Sequence, residues 1–183
     1  MRLARRLSLA AVLVVLVGLG AHPRPRPATA GDARAAWTVF VYHDADCNLE
    51  APMMQDLEEM LEVGSSDAVQ VVALVDRHPG SEAPFSAAAV GGVQDWTTAK
   101  LCHVEKGKLV VLADWGEANL GDPVTLTRLL TEGVARYPAH RYALILGDHG
   151  MSWPGICADD SSQDDFLDLE ELGKAVAGFA KEH

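Results

Sequence analysis

The chain has 183 residues, 49% of them apolar, and carries 15 Lys+Arg against 26 Asp+Glu, a formal charge of −11 with histidines neutral. That apolar content over one domain's length predicts a single globular core and excludes a disordered or fibrous chain. The acidic balance repels a phosphate backbone, so nucleic-acid binding is not expected.

The first thirty residues stand apart. Arg2, Arg5 and Arg6 form a basic front, Leu7 to Ala21 is almost wholly apolar, and Ala28-Thr29-Ala30 has the small-x-small pattern that a signal peptidase accepts. A cleaved secretory signal over 1–30 and a domain over 31–183 are expected, with the mature protein secreted or periplasmic. Losing the leader removes five arginines and no acid, which leaves an even more acidic exported part. The apolar run is short for a bilayer span, and no later stretch approaches about eighteen apolar residues, so a membrane-spanning protein is not expected. Cys47, Cys102 and Cys157 are too few for a disulfide scaffold and lack the C-x-x-C spacing of structural zinc sites. An exported protein could form one disulfide from them and keep one thiol.

Trp37 to Tyr42 is apolar on both faces, as buried parallel strands are. Polar residues His43 to Asp46 follow. Asn48 is the expected cap of a helix whose Met53, Leu57, Met60 and Leu61 recur at helical spacing until Gly64. Val69 to Val75 is a second β-branched run, which completes a β-α-β unit with parallel strands. Residues 78–96, rich in Pro and Gly, read as a surface loop. Leu101 to Glu105 and Leu109 to Ala113 flank Lys106-Gly107 as a β-hairpin. Asp122-Pro123 starts a helix with Leu126, Leu129, Leu130 and Val134 on its buried face, and Pro138 ends it. Tyr142 to Leu146 is the third long buried strand. Residues 151–166 read as an acidic loop, and Asp168 with Glu171 forms a capping box for a last helix that buries Leu169, Leu172, Val176 and Phe179. Alternating strands and helices define an α/β sandwich with a mostly parallel sheet. The chain stops after a helix where this architecture next demands a strand, so it is expected to be the N-terminal portion of a longer domain.

In such sheets ligands gather outside the carboxyl ends of the strands. Three polar clusters lie there: His43/Asp44/Asp46/Cys47, Asp76/Arg77/His78 and Asp148/His149/Gly150. His149 is the most informative. It follows an apolar strand directly and precedes a glycine, so its imidazole can reach a cleft while Gly150 offers a backbone N–H to an oxyanion. Asp44-x-Asp46-x-Asn48 imitates the start of an EF-hand loop, but Leu49 replaces the required glycine and Gln55 the bidentate glutamate, so an EF-hand is rejected. Asp159, Asp160 and Asp164 place hard oxygen ligands in one segment, a candidate calcium site.

Five stretches in order resemble the clostripain family of cysteine peptidases, relatives of the caspases: WTVFVYHDADCNLE, EMLEVGSS, VQVVALVDR, ADWGEANLGDPVTL and RYALILGDHGMSWPGICADDSS. The resemblance covers nearly all of residues 37–172. It implies a caspase-like α/β/α fold, a catalytic Cys–His dyad with His149 as the histidine and Gly150 at the oxyanion hole, and cleavage of peptides or proteins after Arg or Lys. Calcium-activated members of the family add to the calcium expectation. The nucleophile of the family lies in an Asp-Ala-Cys motif on the following strand. No such motif occurs here, so the nucleophile and the partner segment bearing it are expected outside this chain. The caspase-like sheet also sets the first strand beside the histidine strand, which brings the loops of Cys47 and Cys157 together as a disulfide candidate. The alternative reading is a non-catalytic exported α/β module that binds a cationic peptide or calcium at its acidic edge.

Overall fold

A computed structural model describes residues 11–15, 34–80, 85–150 and 152–183. Residues 1–10 and 16–30 of the expected leader, with its cleavage site, and residues 31–33 lie outside the described residues. The leader's apolar centre forms a five-residue strand, β1 (Ala11–Val15). The main elements follow as β2 (Trp37–Ala45), α1 (Glu50–Val63), β3 (Val69–Arg77), β4 (Lys100–Glu105) and β5 (Lys108–Asp114). Then come α2 (Pro123–Arg136), β6 (Tyr142–Asp148), β7 (Gly155–Asp159), β8 (Asp165–Asp168) and α3 (Leu169–Glu182).

The six-stranded sheet runs β1-β6-β2-β3-β4-β5. Its centre is parallel: β2 pairs with β3 and with β6 in the same sense. Hairpin β4-β5 and strand β1 add antiparallel flanks. The alternation of side chains along the central strands builds both cores. Phe40, Tyr42, Val72, Leu74, Leu144 and Leu146 pack with α2 and α3 through Leu126, Leu129, Leu130 and Leu172. Val41, Ala45, Ala73 and Val75 pack with Met53, Met54, Leu57 and Leu61 of α1 on the other face. Each fully buried large side chain stabilises by roughly 1.5–3 kcal/mol, so two apolar faces per strand hold the parallel centre. The result is an α/β/α sandwich. No helix among the described residues is long and apolar enough to cross a membrane.

Local chemistry explains the boundaries. Asp122 caps α2 by accepting the Val124 N–H at 2.8 Å, with Pro123 at the first helical position. Asp168 accepts the Glu170 and Glu171 N–H groups at 2.7 Å each, and the Asp168 N–H donates to Glu171, a complete capping box. Gly133 lets α2 press onto the sheet: a Cβ there would lie 2.3 Å from the Phe40 ring.

Three expectations need correction. Residues 151–166 are not a plain loop, because β7 and β8 make a small antiparallel hairpin around a 3₁₀ turn at Asp160–Ser162. Leu169 is exposed, since it is the first residue of α3 and points away from the core. Leu49, not Asn48, is the N-cap of α1, and no side chain caps that end, because the Asn48 amide is engaged elsewhere.

Candidate active site

In the parallel centre, Thr38 to His43 sit opposite Tyr142 to Gly147, and Trp37 to Ala45 sit opposite Val69 to Arg77. The carboxyl ends of β2, β3 and β6 therefore emerge side by side. All three sequence clusters converge there.

His149 is the first residue beyond β6 and is exposed. Its Nε2 donates to Asn48 Oδ1 at 2.7 Å. Since an amide oxygen can only accept, Nε2 carries a proton and is the donor. Gly150 is exposed and faces Ile156 across an isolated antiparallel bridge. Beneath the histidine, Asp148 is buried. Its Oδ2 accepts the Ala158 N–H at 2.7 Å and its Oδ1 accepts the Cys47 thiol at 3.0 Å. Burial raises the Asp148 carboxyl, against the lowering effect of these donors.

None of the three thiols is prepared as a nucleophile. Cys47, Cys102 and Cys157 are all buried and free, so the anticipated Cys47–Cys157 bridge is not formed in this structure. Burial, then the Asp148 charge, pushes the Cys47 thiol far above its ordinary range. Burial with Asp44 and Asp148 does the same to Cys157, and burial pushes Cys102 up to about 12. A nucleophilic thiol needs the opposite surroundings.

Acids crowd the floor of this edge. Asp44, Asp46, Asp76 and Asp159 are each fully buried. Among the described residues, both carboxylate oxygens of Asp44 and the Oδ2 of Asp76 lack hydrogen-bond partners. Desolvation, with Asp148, Asp159 and Asp76 nearby, raises Asp44 strongly. Desolvation and Glu117 push Asp76 up to about 9. Oxygens of Asp46, Glu117 and Asp159 lie within 4.8 Å of one another. The anticipated set of Asp159, Asp160 and Asp164 is thus split, since Asp160 and Asp164 are exposed while Asp159 turns inward to Asp46 and Glu117. Glu117 lies in the segment between β5 and α2, and no local pattern marks it.

Two other cluster members are held by partners outside the acidic floor. Arg77 is buried, and its Nε pairs with Glu50 Oε1 at 2.6 Å. The same guanidinium donates to the Ser86 and Ala88 carbonyls and pairs with Asp95 at 3.0 Å. Glu50 Oε2 accepts the Ser86 N–H at 2.7 Å, so this ion pair ties down the loop after β3. His43 is buried and donates from Nε2 to the Met53 carbonyl at 2.8 Å, and burial lowers its pKa. It serves the packing of α1.

The parallel-centred α/β/α sheet agrees with what comparison with known proteins shows. The profile of the clostripain family, Peptidase_C11, matches residues 41–182, and the chain belongs to this family of cysteine peptidases, which are hydrolases. The clostripain of Hathewaya histolytica is 31% identical over 149 residues, a match covering 69% of this chain and 27% of that protein. The chain thus spans about a quarter of that relative's length. A secreted C11 cysteine protease from Bacteroides thetaiotaomicron, solved with an irreversible peptide inhibitor, has a TM-score of 0.60 at 19% identity, covering 78% of this chain and 39% of that one. An inactive zymogen C11 protease from Parabacteroides distasonis has a TM-score of 0.57 at 20% identity, covering 80% and 40% respectively. These likenesses establish the caspase-like fold.

Proposed function

We propose that this chain is the histidine-bearing part of an exported clostripain-like cysteine endopeptidase that cleaves peptides after Arg or Lys. The observation that carries the reading is His149: exposed at the end of the central strand β6, with its Nε2–H held by Asn48 so that Nδ1 is free to take a proton. The nucleophile belongs to a part of the protein beyond residue 183, a reading supported by the burial of all three cysteines here. In the complete site, Nδ1 of His149 accepts the thiol proton as sulfur attacks the scissile carbonyl. The protonated imidazole then passes that proton to the leaving amine, and water hydrolyses the acyl-enzyme. Gly150 is the proposed backbone donor to the developing oxyanion.

His149→Ala in the full-length protein should lower kcat on a fluorogenic arginine peptide by at least about a thousandfold while leaving the fold intact by circular dichroism. Retained cleavage would refute the role. The preference for cationic residues draws support from the acidic balance of the chain, 26 Asp+Glu against 15 Lys+Arg, and a peptide-library profile favouring apolar or acidic residues before the cut would remove that part.

Calcium is proposed as a structural cofactor. The buried oxygens of Asp46 and Asp159 with Glu117 fit a hard cation. Calcium there would stabilise the floor and take no part in the proton transfers. At concentrations on the order of millimolar it should raise the melting temperature of the chain, and Asp159→Asn should abolish the gain. No heat in calorimetry and no shift would exclude it.

A further inference from the structure

The second group of metal-ligand type on this edge lies directly at His149. The Cys47 sulfur, a carboxylate oxygen of Asp148 and one ring nitrogen of His149 fall within 4.8 Å of one another. We propose that these three residues form a binding site for zinc, or a like borderline-soft divalent ion, and that occupation of the site switches the peptidase off. The donor set is of the catalytic-zinc type, with three protein ligands of mixed S, N and O character and a fourth position open to water. It is distinct in place and chemistry from the all-oxygen group of Asp46, Glu117 and Asp159.

Zinc bonds of roughly 2.0–2.3 Å in a tetrahedron separate ligand atoms by about 3.3–3.6 Å. Cys47 Sγ and Asp148 Oδ1 already stand 3.0 Å apart, and the histidine has little more than an ångström to close. His149 is exposed, so its side chain can make that movement. The second ligand is already oriented, because the Ala158 N–H holds Asp148 Oδ2 and leaves Oδ1 directed at the sulfur. In the metal-free chain a thiol proton bridges sulfur and carboxylate. On binding, the S–H bond breaks, sulfur and Oδ1 bond to the ion, and one proton passes to the solvent. No oxidant or reductant is needed. The inhibitory consequence rests on the proposed catalytic role of His149, whose imidazole cannot act as base while bound to the ion; the binding itself does not.

Cobalt(II) is the probe, because a cysteine thiolate bound to it gives a near-ultraviolet charge-transfer band. Anaerobic titration of the 183-residue chain should develop that band at one equivalent, release one proton, and lose the signal to competing zinc. Cys47→Ser should abolish the band. His149→Ala, a change at an exposed position, should weaken binding at least about tenfold, and Cys102→Ser should leave it unchanged. Absence of the band, its survival in Cys47→Ser or dependence on Cys157 would each overturn the site. Thiol counting on denatured, unreduced protein should find three reactive cysteines, and finding only one would also overturn it, since Cys47 would then be bridged. In the full-length enzyme zinc should inhibit, and Cys47→Ser should need at least about tenfold more zinc for half-inhibition relative to its own zinc-free rate. Cobalt binding without inhibition would overturn the switch, whereas cleavage retained in His149→Ala would remove the catalytic reading and leave the metal site standing.

Discussion

Asp76 shows at the residue scale what the acidic floor costs. Burial and Glu117 push its carboxyl from 3.8 up to about 9, and Asp44, Asp46 and Asp148 are raised too, burial being the largest cause in each case. A carboxyl raised in the fold binds its proton more tightly than the unfolded chain does. Its contribution to stability is complete below the ordinary value near 3.8 and disappears as pH rises through about 9. Urea midpoints should therefore fall steadily between about pH 5 and pH 9, and Asp76→Asn should flatten the decline. A midpoint that rises over this interval would contradict the uncompensated floor. The strand-end acids were legible in the sequence because a polar residue just after an apolar strand has only one edge to occupy. Their grouping was not legible: Asp159 meets Asp46 and Glu117 across long separations, while its sequence neighbours Asp160 and Asp164 face solvent.

At the scale of elements, two side-chain packings carry consequences larger than their local sequence indicates. Arg77→Ala would leave Glu50 charged and buried without its partner and release the Ser86 and Ala88 carbonyls. Stability should fall by about 3–5 kcal/mol in chemical denaturation, and the loop at 85–96 should become the first site of limited proteolysis. A loss below about 1 kcal/mol would mean the pair is solvated. Gly133 sits within α2, where alanine would gain about 1 kcal/mol of helix propensity. Its added methyl would meet the Phe40 ring, itself stacked on Tyr142 at 5.9 Å and set edge-on to Phe179 at 6.3 Å. Gly133→Ala should therefore destabilise, by about 1–2 kcal/mol in thermal unfolding, with overpacking outweighing propensity. The long strands, the hairpin and the capped starts of α2 and α3 were readable from period and capping residues. Hairpin β7-β8 was not, because its strands are four and five residues long and carry turn-like acids. The start of α1 misled for a different reason: Asn48 has the chemistry of a cap, but a histidine from another element takes its oxygen.

For the whole molecule, alternating strands and helices predicted the layered sandwich, and resemblance supplied the adjacency of β2 and β6 on which the site depends. What no pattern predicted is the neighbour on the outer side of β6. There β1 runs antiparallel, with Ala11 opposite Asp148 and Val15 opposite Leu144. A chain begun at Gly31 lacks that strand and presents the bare edge of β6, whose unpaired backbone groups are a template for another chain. Such a chain should self-associate in light scattering at concentrations where the 183-residue form stays monomeric, and equal masses for both would contradict this. One edge can seat only one strand at a time. Strand β1 and any other strand that would pair with β6 on that side are therefore rivals for a single berth, with departure of the first occupant a precondition for arrival of the second.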